Sequence, residues 1–269
     1  LMPEGAFRIR FHSVGGYGTM ATGKLLTDVL AGALNLHSKA APKYGSEKSG
    51  APTNYYITLS PETVKLTNAE LEDVEIVISP DHKVFEHSNP LRGLQKGGTF
   101  IMQSSLPAVE LWASLPATAR RTIRERQIKF FVIDGFSVAK RHAPTPELET
   151  RMMGIAFIGA VCGHVDRVIA DHSPEQILGK IHSQITKKFG AKGNVVVESN
   201  MAVIREGLDA THKVDYDDPA FIAAEQTSGH ANVPSRSVTI SAEMSCHPGT
   251  ASANFPDPEY YDEMVAEPF

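Results

Sequence analysis

The sequence contains few of the residues that build redox and zinc centres. Its 269 residues include two cysteines, Cys162 and Cys246. An iron–sulfur cubane or a four-cysteine zinc site needs four thiolates, so this chain alone supplies neither. The spacing of the two cysteines gives no support to a disulfide between them. Such low cysteine usage is typical of the reducing cytoplasm, where we expect the protein to be located.

Long apolar runs and an excess of positive charge are also missing. No stretch approaches the roughly eighteen apolar residues that a membrane-spanning helix needs. The first residues, Leu1 to Gly5, have neither the basic nor the apolar region of a signal peptide. The formal net charge is −5, and the basic residues form no stripe with interleaved aromatics. We therefore expect neither a membrane nor nucleic acid as a partner.

The chain begins with a strand and a helix that are joined by a glycine-rich turn. Residues 7–12 alternate apolar and polar side chains, which predicts a strand with one buried face. Apolar residues recur at helical spacing from Thr19 to Leu30. The turn between the two elements reads Ser13-Val14-Gly15-Gly16-Tyr17-Gly18.

This turn is a candidate anion-binding cradle. Three glycines in four positions permit positive φ and a close approach of backbone to ligand, and the N-terminus of a helix favours phosphate. The glycines do not match the dinucleotide pattern G-x-G-x-x-G, and a suitable acidic residue about twenty positions later is missing. A phosphate ester, NAD and a purely structural turn all remain open on spacing alone. The candidate binding residues are Gly15, Gly16, Tyr17, Gly18 and Thr19.

A second loop of small and charged residues follows the first helix. It reads Tyr44-Gly45-Ser46-Glu47-Lys48-Ser49-Gly50-Ala51-Pro52. The Lys48 ammonium and the hydroxyls of Ser46 and Ser49 are suited to a phosphate. We therefore add these three residues to the candidate site, since the loop could reach the same ligand as the turn.

Strands and helices alternate along most of the chain. Strands are predicted at 54–59, 74–79, 99–103 and 129–133, a short helix at 91–94, and longer helices at 118–127, 147–170, 174–189 and 200–208. Such alternation predicts an α/β domain over residues 1–208, with a mostly parallel sheet flanked by helices. Residues 209–269 include six prolines and scattered aromatics, and they show little periodicity. We predict that they form an extended, irregular tail that packs on partner subunits.

Several blocks, taken in order, resemble the gamma subunit of 2-oxoacid:ferredoxin oxidoreductases. They are the Gly-Gly-x-Gly-Thr turn, the loop 44–52, Leu91-Arg92-Gly93-Leu94-Gln95-Lys96-Gly97-Gly98-Thr99, Met152 to Ala160, and Glu198 to Gly207. The resemblance covers about residues 7–208. The chain departs from the family where it has Ser13 in place of glycine and Tyr17 in place of a frequent glutamine.

The resemblance implies a subunit of a larger enzyme. Members of the family convert a 2-oxoacid and coenzyme A to acyl-CoA and CO₂, and they pass electrons to ferredoxin or, through another subunit, to NAD. Thiamine diphosphate and magnesium would be held by alpha and beta subunits, and [4Fe-4S] clusters by subunits that include an iron–sulfur (delta-type) one. The gamma subunit would help to bind coenzyme A, with Gly15 to Thr19 as the phosphate cradle and Lys48 as a cation.

Two other functions remain open from the residues alone. One is a free-standing NAD-binding oxidoreductase, and the other is a purely structural assembly subunit. We find no residue that we expect to act as a catalytic acid, base or nucleophile, and no metal site. The sequence does not identify the 2-oxoacid, which could be pyruvate, 2-oxoglutarate, a branched-chain acid or an aryl acid such as phenylglyoxylate.

Overall fold

The computed structural model of the chain describes residues 2–14, 17–45, 52–65, 70–143, 145–170 and 172–228. The chain divides into a unit over Leu1–Ala231 and a second over Asn232–Phe269, and every described residue lies in the first. The strands are β1 (Phe7–Ser13), β2 (His37–Lys43), β3 (Thr53–Ser60), β4 (Val74–Ser79), β5 (Leu94–Gln103), β6 (Lys129–Ile133) and β7 (His212–Lys213). The helices are α1 (Thr19–Leu34), α2 (Val84–His87), α3 (Ala108–Ser114), α4 (Ala117–Glu125), α5 (Gly135–His142), α6 (Pro146–His164), α7 (Asp166–Ile169), α8 (Pro174–Phe189), α9 (Asn194–Asp209) and α10 (Pro219–Ser228).

The described strands form one seven-stranded sheet in the order β2-β3-β1-β4-β5-β6-β7. The four neighbouring strands β1, β4, β5 and β6 are parallel, whereas β3 pairs antiparallel with β1, β2 with β3, and β7 with β6. The predicted α/β class with helices flanking the sheet is confirmed. The antiparallel pairings at the two edges are additions to the predicted mostly parallel sheet.

Two helical layers cover the sheet and bury both of its faces. Helices α1, α5, α6, α8 and α9 pack on one face in a cluster with Ile9, Ile78 and Ile133. Helices α2, α3, α4 and α10 pack on the other face around Val77, Phe100 and Trp112. Because central strands contribute apolar side chains to both clusters, they read as nearly continuous apolar runs.

Local sequence signals account for several element boundaries. The strands predicted at 74–79 and 129–133 have the observed bounds of β4 and β6. Helix α8 begins with a capping box in which Ser173 and Gln176 satisfy each other's backbone N–H, and Pro174 occupies its first turn. The helix predicted at 91–94 is wrong. Gly93 has φ +74 there, and the strand β5 begins at Leu94, whose partner is Val74.

The ordered fold continues beyond residue 208. Strand β7 adds to β6, and α10 packs on the same face as α3. Tyr216 stacks on Trp112 with ring centroids 5.3 Å apart, and Tyr216 also donates a hydrogen bond to the Ile128 carbonyl. Residues 229–269 lie outside the described part of the chain, so the role predicted for the tail stays a prediction.

Candidate anion-binding site

The turn between β1 and α1 places three of the predicted residues at a helix N-terminus. Gly18 is the N-cap residue of α1 and has φ 67 and ψ 17, the left-handed conformation that glycine adopts without strain. Among the residues that the structure describes, no side chain caps the helix, and its first turn contains no acidic residue. Because none of the described carboxylates accepts from the first N–H groups of α1, these groups are suited to an external anion. Gly15 and Gly16, which were also predicted, lie outside the described residues.

A hydrogen bond between two hydroxyl groups connects the two ends of the turn. Ser13 Oγ lies 2.5 Å from Thr19 Oγ1, and both side chains are buried. The Thr22 N–H donates to the Gly18 carbonyl over 3.0 Å, which starts the helix. Since its hydroxyl is engaged by Ser13, Thr19 could serve a ligand through its backbone N–H. Ser13, which departs from the family pattern, has a structural use in this turn.

Asp81 approaches the turn from the end of the neighbouring strand β4. Its side chain is 1% exposed, and it accepts the Lys83 N–H at 2.8 Å through Oδ1 and the Val14 N–H at 3.4 Å through Oδ2. The Asp81 carboxylate thus connects the β4 loop to the glycine turn. Asp81 was not among the predicted site residues, although an acidic residue directly after a buried strand is a signal that sequence reasoning could have used.

Tyr17 lies between the turn and the β4 loop. Its ring packs edge to face against His82, with centroids 6.4 Å apart and an interplanar angle of 77°. Burial raises the pKa of Tyr17, and the neighbouring Asp81 carboxylate raises it further. The Tyr17 hydroxyl therefore stays protonated at neutral pH and interacts with Asp81 as a neutral group.

The connections that follow the adjacent strands β1 and β4 lead to opposite faces of the sheet. After β1 it continues to α1 on one face, and after the adjacent β4 it continues to α2 on the other. A crevice at the carboxyl ends of such diverging strands is the usual ligand site of open α/β sheets. Tyr17, Gly18 and Asp81 all lie at this crevice.

The second predicted loop starts from the same edge of the sheet. It connects β2 to β3, whose residues Lys43 and Asn54 are cross-strand partners. Thr53, at the base of the loop, is in turn the partner of Ser13 at the end of β1. The Gly45 N–H donates to Thr53 Oγ1 at 3.3 Å. The structure thus brings the bases of the two motifs together, whereas Ser46, Lys48 and Ser49 lie outside the described residues.

A buried polar network lies on the face of β1 that is turned away from α1. His12 Nδ1 lies 2.7 Å from Asn54 Oδ1, and His12 Nε2 lies 2.8 Å from Ser88 Oγ. The Arg10 guanidinium donates to the carbonyls of Pro90 and Arg92, each at 2.7 Å. Both side chains are buried, so the prediction of a single buried face for β1 is wrong.

The Ser88–His12–Asn54 arrangement has the residue types of a nucleophile, a base and an orienting amide. Burial and the nearby Arg10 charge lower the pKa of His12 to about 4. The same forces that keep the ring neutral make it a weak base, which is unfavourable for activating a serine. We therefore assign the network to holding the 88–92 loop against the sheet.

Other polar groups at the carboxyl edge have structural partners. Gln103 accepts the Gly135 N–H at 2.8 Å and donates to Asp134 at 3.1 Å, and Asp134 caps α5 through the Ser137 N–H. Within the described ranges, His, Cys, Asp and Glu side chains form no group of three that could hold a metal ion. Across the same part of the chain, none of the helices has the length and apolar composition needed to cross a bilayer.

Proteins of known function share this sequence pattern and this fold. The chain is 24% identical to the pyruvate:ferredoxin oxidoreductase of Moorella thermoacetica over 214 residues, which are 80% of this chain and 17% of the relative. It is 25% identical to the pyruvate dehydrogenase [NADP(+)] of Cryptosporidium parvum over 231 residues, 85% of this chain and 11% of the relative. The chain thus spans about one sixth or less of the length of these relatives.

Solved structures show the same fold. The subunit PORC of pyruvate oxidoreductase from Thermotoga maritima superposes with a TM-score of 0.54 at 17% identity, over 78% of this chain and 99% of the subunit. The 2-oxoglutarate:ferredoxin oxidoreductase of Magnetococcus marinus, solved with 2-oxoglutarate, coenzyme A and succinyl-CoA bound, gives 0.51 at 15% identity, over 82% of this chain and 31% of that one. The family model described as pyruvate ferredoxin/flavodoxin oxidoreductase matches residues 8–210. This match covers most of the chain, which therefore belongs to the pyruvate ferredoxin/flavodoxin oxidoreductase family.

Proposed function

We propose that this chain is the gamma-type component of a 2-oxoacid oxidoreductase and that it helps to bind coenzyme A. The complex would convert a 2-oxoacid and coenzyme A to acyl-CoA and CO₂. The observation that carries the proposal is the pairing of Ser13 with Thr53, because it places the bases of the glycine turn and of the 44–52 loop at one edge of the sheet. One extended ligand with several phosphates could then contact both motifs.

The chemistry of coenzyme A suits these two motifs. Its pyrophosphate and its 3′-phosphate need backbone N–H donors and at least one cation. The uncapped N-terminus of α1 at Gly18 and Thr19 supplies donors. Gly15, Gly16 and Tyr17 would complete the cradle, while Lys48, with Ser46 and Ser49, would supply the cation and hydroxyl donors.

The remaining chemistry would reside on partner chains or partner domains. Thiamine diphosphate with magnesium would be held by alpha- and beta-type components, and [4Fe-4S] clusters by components that include an iron–sulfur, delta-type one. Electrons would pass to ferredoxin, or to NAD through a further component. The residues 209–269 would contact these partners, and the low cysteine content supports a cytoplasmic location.

The proposal is tested on the complex that co-purifies with this chain. Viologen reduction is measured with a panel of pyruvate, 2-oxoglutarate, branched-chain and aryl 2-oxoacids such as phenylglyoxylate, each with and without coenzyme A. We expect reduction that requires one 2-oxoacid and coenzyme A together. Reduction of NAD by the isolated chain would favour the free-standing oxidoreductase. If the Gly18→Val complex is active and has the same KM for coenzyme A as the wild type, the result would favour a purely structural subunit.

A further inference from the structure

Asp81 places a negative charge beside the turn to which we assign a phosphate. Its carboxylate is almost fully buried and receives backbone N–H groups from Val14 in the turn and from Lys83 in its own loop. A carboxylate in such a position takes up hydrogen bonds of the type that a bound phosphate would use. The turn therefore already contains an internal anion before any ligand arrives.

This internal charge acts differently on the different phosphates that a cradle could receive. A terminal phosphomonoester carries close to two negative charges at neutral pH, whereas each phosphate of a pyrophosphate diester carries one. Repulsion by a buried carboxylate grows with the charge of the ligand and is poorly screened by salt. Asp81 therefore penalises a phosphomonoester more strongly than a phosphodiester at the same place.

Tyr17 holds the Asp81 carboxylate at the turn. Its ring lies against His82 in the β4 loop while its hydroxyl interacts with Asp81, so both loops of the crevice are connected through one side chain. The hydroxyl is a neutral group and changes the geometry of the turn without changing its charge. Tyr17 and Asp81 thus have separable effects, one on shape and one on charge.

On this basis we propose that Asp81 is a specificity-determining residue, which makes the glycine turn select a pyrophosphate diester over a terminal phosphate. This inference rests on the proposed function, since it assigns the turn to the pyrophosphate of coenzyme A. The 3′-phosphate of coenzyme A, a monoester, would then be bound away from the turn. Tyr17 is a positioning residue that fixes the carboxylate at the Val14 N–H.

The test uses ADP and ADP methylated on its terminal phosphate, two probes that differ by one negative charge and one methyl group. Calorimetric titration of the complex purified with this chain gives the affinity for each probe and for coenzyme A. We expect the methyl ester to bind the wild-type complex about tenfold more tightly than ADP. In Asp81→Asn, which preserves the shape of the side chain and removes its charge, the two affinities should become equal within about twofold.

Two further variants separate charge from geometry. Tyr17→Phe keeps the Asp81 charge but removes the hydroxyl that positions it, so the ratio of the two affinities should fall between the wild-type value and that of Asp81→Asn. Asp134→Asn alters a capping carboxylate at the same edge of the sheet but away from the turn, and it should leave the ratio at the wild-type value. An equal affinity of the wild-type complex for the two probes, or a ratio that Asp81→Asn does not change, would overturn the role of Asp81. A folded wild-type complex that binds no coenzyme A would overturn the proposed function and this inference with it.

Discussion

A Cβ atom on Gly159 would overlap the backbone carbonyl oxygen of Ile204, the residue that faces it from α9. The same atom would lie 2.7 Å from the backbone nitrogen of Leu208. The contact is reciprocal, because a Cβ on Gly207 of α9 would lie 2.9 Å from the Cα atom of Ala156 on α6. Helices α6 and α9 therefore touch backbone to backbone, and no change of side-chain rotamer could make room for a methyl group.

We predict that Gly159→Ala destabilises the domain by about 2–3 kcal/mol. The added methyl group forces α6 and α9 apart, and this cost exceeds the gain of up to about 1 kcal/mol that alanine gives over glycine in a helix. Thermal unfolding should show a decrease in Tm of roughly 5–10 °C for a domain of this size. Gly179→Ala is the matched control, since Gly179 lies in the interior of α8 on its exposed side, and a Cβ there would meet nothing within 4 Å. An equal or higher Tm for Gly159→Ala than for Gly179→Ala would contradict the close contact.

The regular part of the fold follows from local patterns, and the departures arise from distant partners. The capping box at Ser173 and the apolar run of β4 are encoded within a few residues. Arg10 instead looks like an exposed residue in an alternating strand. It is buried because carbonyl groups of Pro90 and Arg92, some eighty positions away, receive its N–H groups. Only the tertiary fold could reveal such partners.

The candidate site also combines features that local patterns predict with features that depend on distant residues. The spacing of glycines and the helical period predicted the turn that precedes Thr19, and the structure has a helix N-terminus at this place. The proximity of the second loop was a hypothesis, and the Ser13–Thr53 pairing now gives it a geometric basis. Asp81 was missed although it follows a buried strand directly, because its approach to Val14 also requires β4 to pair with β1 in parallel.

We predict that His12 makes the stability of the domain depend on pH. Its pKa in the folded state is about 4, below the value of 6.5 for an exposed ring, because burial and Arg10 disfavour the charged form more than the Asn54 hydrogen bond and the Asp81 charge favour it. As the pH falls below 6.5, the unfolded chain therefore binds the proton first. Stability is highest above this pH and decreases by about 3 kcal/mol as the pH approaches 4.

The measurement compares the wild-type chain with His12→Gln by urea unfolding between pH 7 and 4. The variant loses hydrogen bonds and is less stable at neutral pH, but it lacks the titrating ring. Other groups titrate alike in both proteins and cancel in the difference. The difference in free energy of unfolding should shrink steadily as the pH is lowered, and a difference that stays constant would exclude His12 as its cause.

We predict that Cys162 is unreactive in the folded protein. Burial raises the pKa of the Cys162 thiol to about 12, and the side chain is fully enclosed. At pH 8 the reactive thiolate would be on the order of one part in ten thousand. A Cys246→Ser variant treated with iodoacetamide should stay unlabelled when folded and should gain one label in guanidinium chloride, as measured by mass spectrometry. Labelling of the folded variant would contradict the burial of the thiol and reopen a redox role for it.

We predict that Glu225 attaches α10 to the rest of the domain. Its carboxylate lies 3.2 Å from Arg120 Nε and 2.6 Å from Arg124 Nη1, and Arg124 also lies over the Trp112 ring at 5.1 Å. Because these two ion pairs are partly exposed, Glu225→Gln should cost only about 1 kcal/mol of stability. The loss should be local, because the α10 side chains that contact α3 and α4 leave together while the sheet remains intact.

Hydrogen–deuterium exchange separates such local release from general destabilisation. In Glu225→Gln, amides of α10 should exchange about fivefold faster, with little change in β4 and β6. Glu198→Gln is the control, since Glu198 is an exposed carboxylate on α9 that pairs with His182. Unchanged exchange of α10 would mean that the Trp112–Tyr216 stack holds this segment without the ion pair. Faster exchange confined to α10 would identify the two arginines of α4 as the anchor of this helix.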